Sequence, residues 1–182
     1  MSATASGPTA SPSTSSTDTV IRVASVADLP SAVGRSATSE RWVVVDQARI
    51  DAFADVTEDH QWIHVDPERA AAGPFGAPVA HGYLTLSLLP VLTAGLLDVG
   101  GVAMHVNYGL DSVRFIAPVR AGSRVRATST VTGVDDSPRG AKVRIRVSVE
   151  VEGSDGSEGS DGSDGSDKPA LVADTVVLVV PH

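Results

Sequence analysis

The sequence predicts an α+β domain in which a mostly antiparallel β-sheet wraps a long central helix. Two observations carry that expectation. The segment HGYLTLSLLPVLTAGLL, His81 to Leu97, is apolar over most of its circumference, and a helix without a polar face is normally covered by other structure. The long segments after it have the two-residue period of a half-buried strand. In VRIRVSVEVEG, Val143, Ile145, Val147, Val149 and Val151 alternate with Arg144, Arg146, Ser148, Glu150 and Glu152, which buries one face and wets the other.

Residues 1–20, MSATASGPTASPSTSSTDTV, hold no basic leader and no long apolar run, so a disordered tail is expected rather than a signal or an anchor. One domain follows over 21–182, a length that suits a single hydrophobic core. Ser25 is placed to cap a short helix through VADLPSAVG, and RWVVV, Arg41 to Val45, reads as a β-branched strand at an edge. Asp46 then caps QARIDAFADVT, where Ile50, Phe53 and Ala54 recur at helical spacing. Asp66-Pro67 opens the short helix PERAAA, because proline is tolerated in a first turn, and Gly73, Pro74, Gly76 and Pro78 end it.

Pro90 removes one backbone donor from the central helix and is expected to kink it. Five strands follow: VAMHVNYG, SVRFIA, SRVRATSTVTGV, VRIRVSVEVEG and ALVADTVVLVV. Between the last two lies GSDGSEGSDGSDGSDK, 153–168, which reads as a flexible Gly/Ser/Asp loop in place of a hairpin turn. It lacks the twelve-residue spacing and terminal glutamate of a calcium loop.

Composition excludes several classes of function. There is no cysteine among the 182 residues, which removes disulfides, thiolate nucleophiles and cysteine-ligated zinc, and suits a reducing cytoplasm. The formal net charge is −8, the wrong sign for a protein that neutralises nucleic-acid phosphates. Half of that charge is local, since 153–168 carries five acids and one base. The most apolar stretch, Val79 to Leu97, is broken by His81, Gly82, Pro90 and Gly95, so no membrane span is expected.

The candidate chemistry lies in DVTEDHQWIHVDPERA, 55–70, a run dense in carboxylates with two histidines. Asp59 follows an amphipathic helix, His64 precedes the start signal Asp66-Pro67, and His81-Gly82 opens the buried helix seventeen residues after His64. A carboxylate and an imidazole held together can share one water and move its protons. Gly82, at a helix N-terminus, adds unpaired N–H donors and a backbone that a ligand atom can approach closely, which outlines an oxyanion hole. Taken alone, it serves equally well to ease helix packing. His81 is expected to make a structural hydrogen bond and is also a candidate substrate contact. His60 and His64 have i, i+4 spacing, but EDHQWIH lacks the HExxH order and Gln61-Trp62 suits a loop, so no metal is expected.

These residues carry a resemblance. FADVTEDHQWIHVDPERAAAGPFGAPVAHGYLTLSLL and NYGLDSVRFIAPVRAGSRVRA, within a match over about residues 26–180, resemble the MaoC-like family of (R)-specific enoyl-CoA hydratases, and closely its mycobacterial single-domain members. The most specific parts are the D-x4-H pair, the x-D-P after it, the HG at the helix start and the RFxAPVxxG turn. The resemblance implies a hot-dog fold assembled as a homodimer whose sheets join. It implies that Asp59 and His64 hold one water and add it across a trans-2-enoyl thioester, giving the (R)-3-hydroxyacyl product. The Gly82 amide would hold the thioester carbonyl. Coenzyme A enters as part of an acyl-CoA thioester substrate, with neither metal nor redox cofactor. Asn107 and Tyr108 are further positions expected to contact substrate, with His81.

Glu58, Gln61 and Trp62 depart from the family pattern G-D-x-N-P-x-H, and Pro90 stands where some members place a helix serine. Competing readings keep the fold. They are a (3R)-hydroxyacyl dehydratase acting on acyl-carrier-protein thioesters, a hot-dog thioesterase, and a non-catalytic acyl-CoA binding or nodulation-type protein.

Overall fold

The computed structural model describes residues 18–152 and 168–182. Nearly all of the expected tail and of the Gly/Ser/Asp loop therefore lies outside the described residues. The chain enters through β1 (Ile21–Val23), a 3₁₀ helix (Val26–Ala32), β2 (Ser36–Thr38) and β3 (Val43–Val45). Five short helices follow: α1 (Gln47–Thr57), α2 (Trp62–Val65), α3 (Pro67–Ala71), α4 (Gly82–Ser87) and α5 (Leu89–Leu92). Five strands complete the described chain: β4 (Leu97–Val99), β5 (Val102–Phe115), β6 (Ser123–Ser137), β7 (Gly140–Val151) and β8 (Leu171–Pro181).

Long strands build the sheet. Its order is β2-β6-β7-β8-β5, with β3 also paired to β6, and every pairing is antiparallel. On β7 the expected alternation holds, since Val143, Ile145, Val147 and Val149 are buried. These residues share one core with Val125, Ala127 and Val131 of β6 and with Leu84, Leu88, Leu89 and Leu92 of α4 and α5. The sheet thus curls around the α4–α5 segment. Val149 pairs with Leu171, so β7 and β8 are hairpin neighbours on either side of the Gly/Ser/Asp run.

Two of the three expected caps form. Asp46 accepts the Arg49 N–H at 2.9 Å and Asp66 that of Arg69 at 3.0 Å, satisfying donors that a first turn leaves free. Ser25 precedes the 3₁₀ helix, but its hydroxyl donates to the Asp28 carboxylate at 2.8 Å instead of accepting from the backbone.

Three elements differ from expectation. The central helix is two short pieces that stop at Leu92, because Pro90 offers no N–H and Gly95 takes a φ of +77° that turns the chain. Leu97 to Val99 are recruited instead as a strand, pairing in parallel with β1. VAMHVNYG and SVRFIA fuse into the single strand β5, whose pairing with β8 absorbs the Gly109 region as register shifts. Gln61-Trp62, expected in a loop, lies at the start of the one-turn helix α2, which the Asp66 N–H closes onto the Trp62 carbonyl at 3.1 Å.

Candidate active site

Asp59 owes its position to the end of α1. Glu58 adopts φ +59° and ψ +20°, the left-handed conformation that reverses a chain at a helix C-terminus. The next residue, Asp59, leaves the helix exposed to solvent. Five residues later α2 carries His64 inward to 8% exposure.

His64 is held from both ends. Its Nδ1–H donates to the Val79 carbonyl at 2.6 Å, while the Val79 N–H donates to the Ile63 carbonyl at 3.0 Å. Gln47 donates its side-chain amide to the His64 carbonyl at 2.8 Å. Val79 itself is pinned, because the Ala80 N–H reaches the Val119 carbonyl at 2.7 Å and the Ala121 N–H the Pro78 carbonyl at 2.8 Å. A carbonyl oxygen can only accept, so Nδ1 carries the proton, and the neutral ring keeps a lone pair on Nε2. Burial favours that neutral form and lowers the His64 pKa from its usual 6.5; the nearby His81 adds to the depression, while the Val79 carbonyl and the Asp59 charge oppose it.

His81 makes the structural bond expected of it. At 3% exposure, its Nε2–H donates to the Asp59 backbone carbonyl at 2.9 Å, and its ring stacks on His64 with centroids 3.7 Å apart and planes 26° off parallel. Phe53 of α1 packs against the same ring at 5.1 Å. His81 therefore touches both members of the pair, the backbone of one and the ring of the other.

A carboxylate oxygen of Asp59 and one ring nitrogen each of His64 and His81 lie within 4.8 Å of one another. Two acceptors at that separation can be bridged by a single water donating to both, since each such bond spans about 2.7–3.2 Å. A metal ion fits less well. Ring lone pairs lie in the ring plane, so stacked imidazoles hold them in two nearly parallel planes, whereas ligands of one ion converge on a point. His60 belongs elsewhere: exposed, it pairs with Asp55 at 3.0 Å, and that bond raises its pKa.

Gly82 is the first residue of α4, where the backbone N–H has no intrahelical acceptor. A side chain here would strike the Phe115 ring at 2.9 Å. The glycine thus serves packing as well as any ligand: Phe115 lies over it, with Tyr83 edge-on at 5.8 Å.

The other expected contacts separate. Asn107 lines a cavity of about 500 Å³ between the helices and the sheet, whose walls include Leu86, Pro90, Thr93, Ser129 and Ile145. Tyr108, one residue on, points to the opposite face, where the Lys142 ammonium sits 4.1 Å from its ring centroid and lowers the phenol's pKa. The cavity walls do not include Asp59, His64 or Gly82, but Leu86 stands one helical turn beyond Gly82.

Residues 28–153 match the model of the MaoC like domain family. The chain belongs to the MaoC-like family. It is similar, at 51% identity over 84% of this chain and 94% of the relative, to the 3-hydroxyacyl-thioester dehydratase Z of Mycobacterium tuberculosis. Nodulation protein N of Rhizobium leguminosarum bv. viciae is 42% identical over 85% of this chain and 91% of its own. Among solved structures, the (R)-hydratase from A. caviae involved in PHA biosynthesis is similar at 26% identity, covering 80% of this chain and 95% of its own with a TM-score of 0.61. The fold of this MaoC-like protein is the hot-dog fold, and the family is one of hydratases and dehydratases. Among the described residues, no helix is long and apolar enough to cross a membrane.

Several contributors have no signal in the sequence. The Val79 carbonyl is a backbone atom, the Gln47 side-chain amide reaches His64 across seventeen residues, and Phe115 meets Gly82 only because β5 ends beside α4. For His81 a signal exists in its adjacency to Gly82, but its stacking on His64 is a tertiary contact.

Proposed function

We propose that the protein adds water reversibly to trans-2-enoyl-CoA thioesters, giving (R)-3-hydroxyacyl-CoA. The observation that carries this reading is His64, its Nδ1 bound to the Val79 carbonyl and one of its ring nitrogens within 4.8 Å of a carboxylate oxygen of Asp59. The pair can accept a hydrogen bond from each O–H of one water, which leaves the oxygen lone pairs to attack C3. As the C–O bond forms, one O–H bond breaks and its electrons remain on oxygen, while the proton passes to the pair. The C2–C3 π electrons move onto the thioester carbonyl, whose oxygen would accept from the Gly82 N–H, a donor of a kind worth about 3 to 4 kcal/mol in a transition state. The proton then returns to C2, and His64 is the natural carrier because an imidazole held as a weak base takes up a proton and gives it back readily.

The name of the mycobacterial relative, a 3-hydroxyacyl-thioester dehydratase, describes this chemistry in reverse. The thioesterase alternative would direct water at the carbonyl carbon and release free thiol. The decisive experiment follows loss of enoyl absorbance with crotonyl-CoA. Hydration abolished in Asp59→Asn supports the reading; thiol release from saturated acyl-CoA without hydration would replace it by hydrolysis. The same assay with acyl-carrier-protein thioesters compares the two carriers.

The reading includes a homodimer. β5 ends the sheet and exposes Met104, Val106, Tyr108 and Leu110, with Tyr83, Phe115 and Ile116 exposed nearby. An open fourteen-residue edge with that much apolar surface is a pairing site. A second copy laid edge to edge would continue the sheet and cover the open side of α4.

A further inference from the structure

We propose that the cavity beneath α4 and α5 receives an acyl chain bearing its own hydrogen-bonding oxygen, a hydroxyl or keto group distant from the thioester, and that Ser129 recognises it. This deepens the hydratase reading and rests on it for the thioester.

The inward row of β6 reads Val125, Ala127, Ser129 and Val131, all buried. Ser129 is its polar member, set where the alternation asks for an apolar side chain. It is 4% exposed, and among the described residues its Oγ has no hydrogen-bond partner. Its cross-strand neighbours, Ala37 and Val147, have no polar side-chain atoms to offer. The hydroxyls beside it are already used. Thr128 and Thr130, on the opposite face, bond to Thr38 and Ser36 at 2.8 Å. Thr175, the threonine that β8 adds to the cavity wall, donates to the Ile145 carbonyl at 3.1 Å. A buried hydroxyl left without a partner is costly. Ser129 lines a space of about 500 Å³, within the usual range for small-molecule sites.

The geometry of the helix gives the direction. Leu86, Pro90 and Thr93 recur along one side of α4–α5 and form a cavity wall that starts one turn past Gly82. A thioester carbonyl held at the Gly82 N–H would feed its chain along this wall toward the sheet, where Ser129 waits on β6. Plain hydrocarbon would fill the space and displace any water without completing the Ser129 bond. An oxygen at the right depth completes it, and a site built to bond an oxygen discriminates against the chain that lacks one.

Calorimetry on the full-length protein tests this with unreactive saturated acyl-CoA thioesters of about six to twelve carbons, each beside counterparts carrying a terminal hydroxyl or a keto group next to the end. The expected result is tighter binding of one oxygenated member than of its plain counterpart, by roughly threefold to tenfold. Ser129→Ala, which removes a single atom, should erase that preference while leaving the plain chain bound as well or better. Equal affinity within every pair, a preference that survives Ser129→Ala, or binding of no thioester overturns the proposal. Crotonyl-CoA hydration on the same preparations reports on the reaction separately: its absence beside a Ser129-dependent preference would overturn the hydratase reading alone.

Discussion

At the scale of single residues the proposed reaction needs a neutral His64 and the Asp59 carboxylate around one water. Because the two act as a unit, Asp59→Asn and His64→Gln should each lower hydration of crotonyl-CoA by several orders of magnitude, and the double variant should be little worse than either. Melting temperatures should change little for Asp59→Asn, whose carboxylate is exposed; near-normal hydration by that variant would sink the mechanism. The acid limb follows from the His64 pKa, which burial holds below 6.5. Above pH 6.5 the ring is neutral in both folded and unfolded chains. As the pH falls below 6.5 the unfolded chain takes up the proton first, so stability is lost until the folded pKa is passed, and then levels off. The pH dependence of melting should therefore be flatter in His64→Gln. Activity should fall on the acid side as His64 takes up a proton and loses its lone pair. Asp59, His64 and Gly82 were legible as residue types at motif spacing. The tautomer of His64 was not, since it is set by a carbonyl fifteen residues away.

At the scale of elements, turns decide what the helices can present. Glu58 stands where the family pattern has glycine and pays the strain of a positive φ that glycine would avoid. Glu58→Gly should thus raise stability by about 0.5–1 kcal/mol, read as a higher melting temperature, with hydration retained. Gly82→Ala should act in the opposite sense, costing about 1–3 kcal/mol as the new methyl meets Phe115, and Phe115→Ala should restore much of that loss. If Phe115→Ala restores folding and not activity, the backbone amide of Gly82 is tied to chemistry as well as packing. Caps at Asp46 and Asp66 were readable because they depend on neighbours within one turn. The extent of the central helix was not, because Leu97 to Val99 leave it to pair with β1, more than seventy residues earlier in the chain.

At the scale of the whole molecule, the exposed β5 edge predicts self-association. Light scattering at micromolar concentration should report twice the chain mass, and lysines at Val106 and Leu110 should shift it to monomer and lower activity. An active monomer would refute the dimer. The Gly/Ser/Asp run connects two strands already paired at Val149 and Leu171. Replacing 154–167 by a short glycine-containing turn should leave hydration and melting temperature nearly unchanged, as should removal of residues 1–17.

The sequence by itself determined the alternation of the strands, the caps of α1 and α3, and the residue types of the site. Each depends on backbone geometry or chemistry within a few positions, and so survives in linear order. Only the tertiary structure decided that His81 stacks on His64, that Phe115 lies over Gly82, that Tyr108 faces away from the cavity while Asn107 lines it, and that Ser129 has no hydrogen-bond partner among the described residues. These are contacts between residues far apart in the chain, fixed by sheet register and by a bulge near Gly109. A shift of one residue in that register would turn every side chain on the strand to the other face.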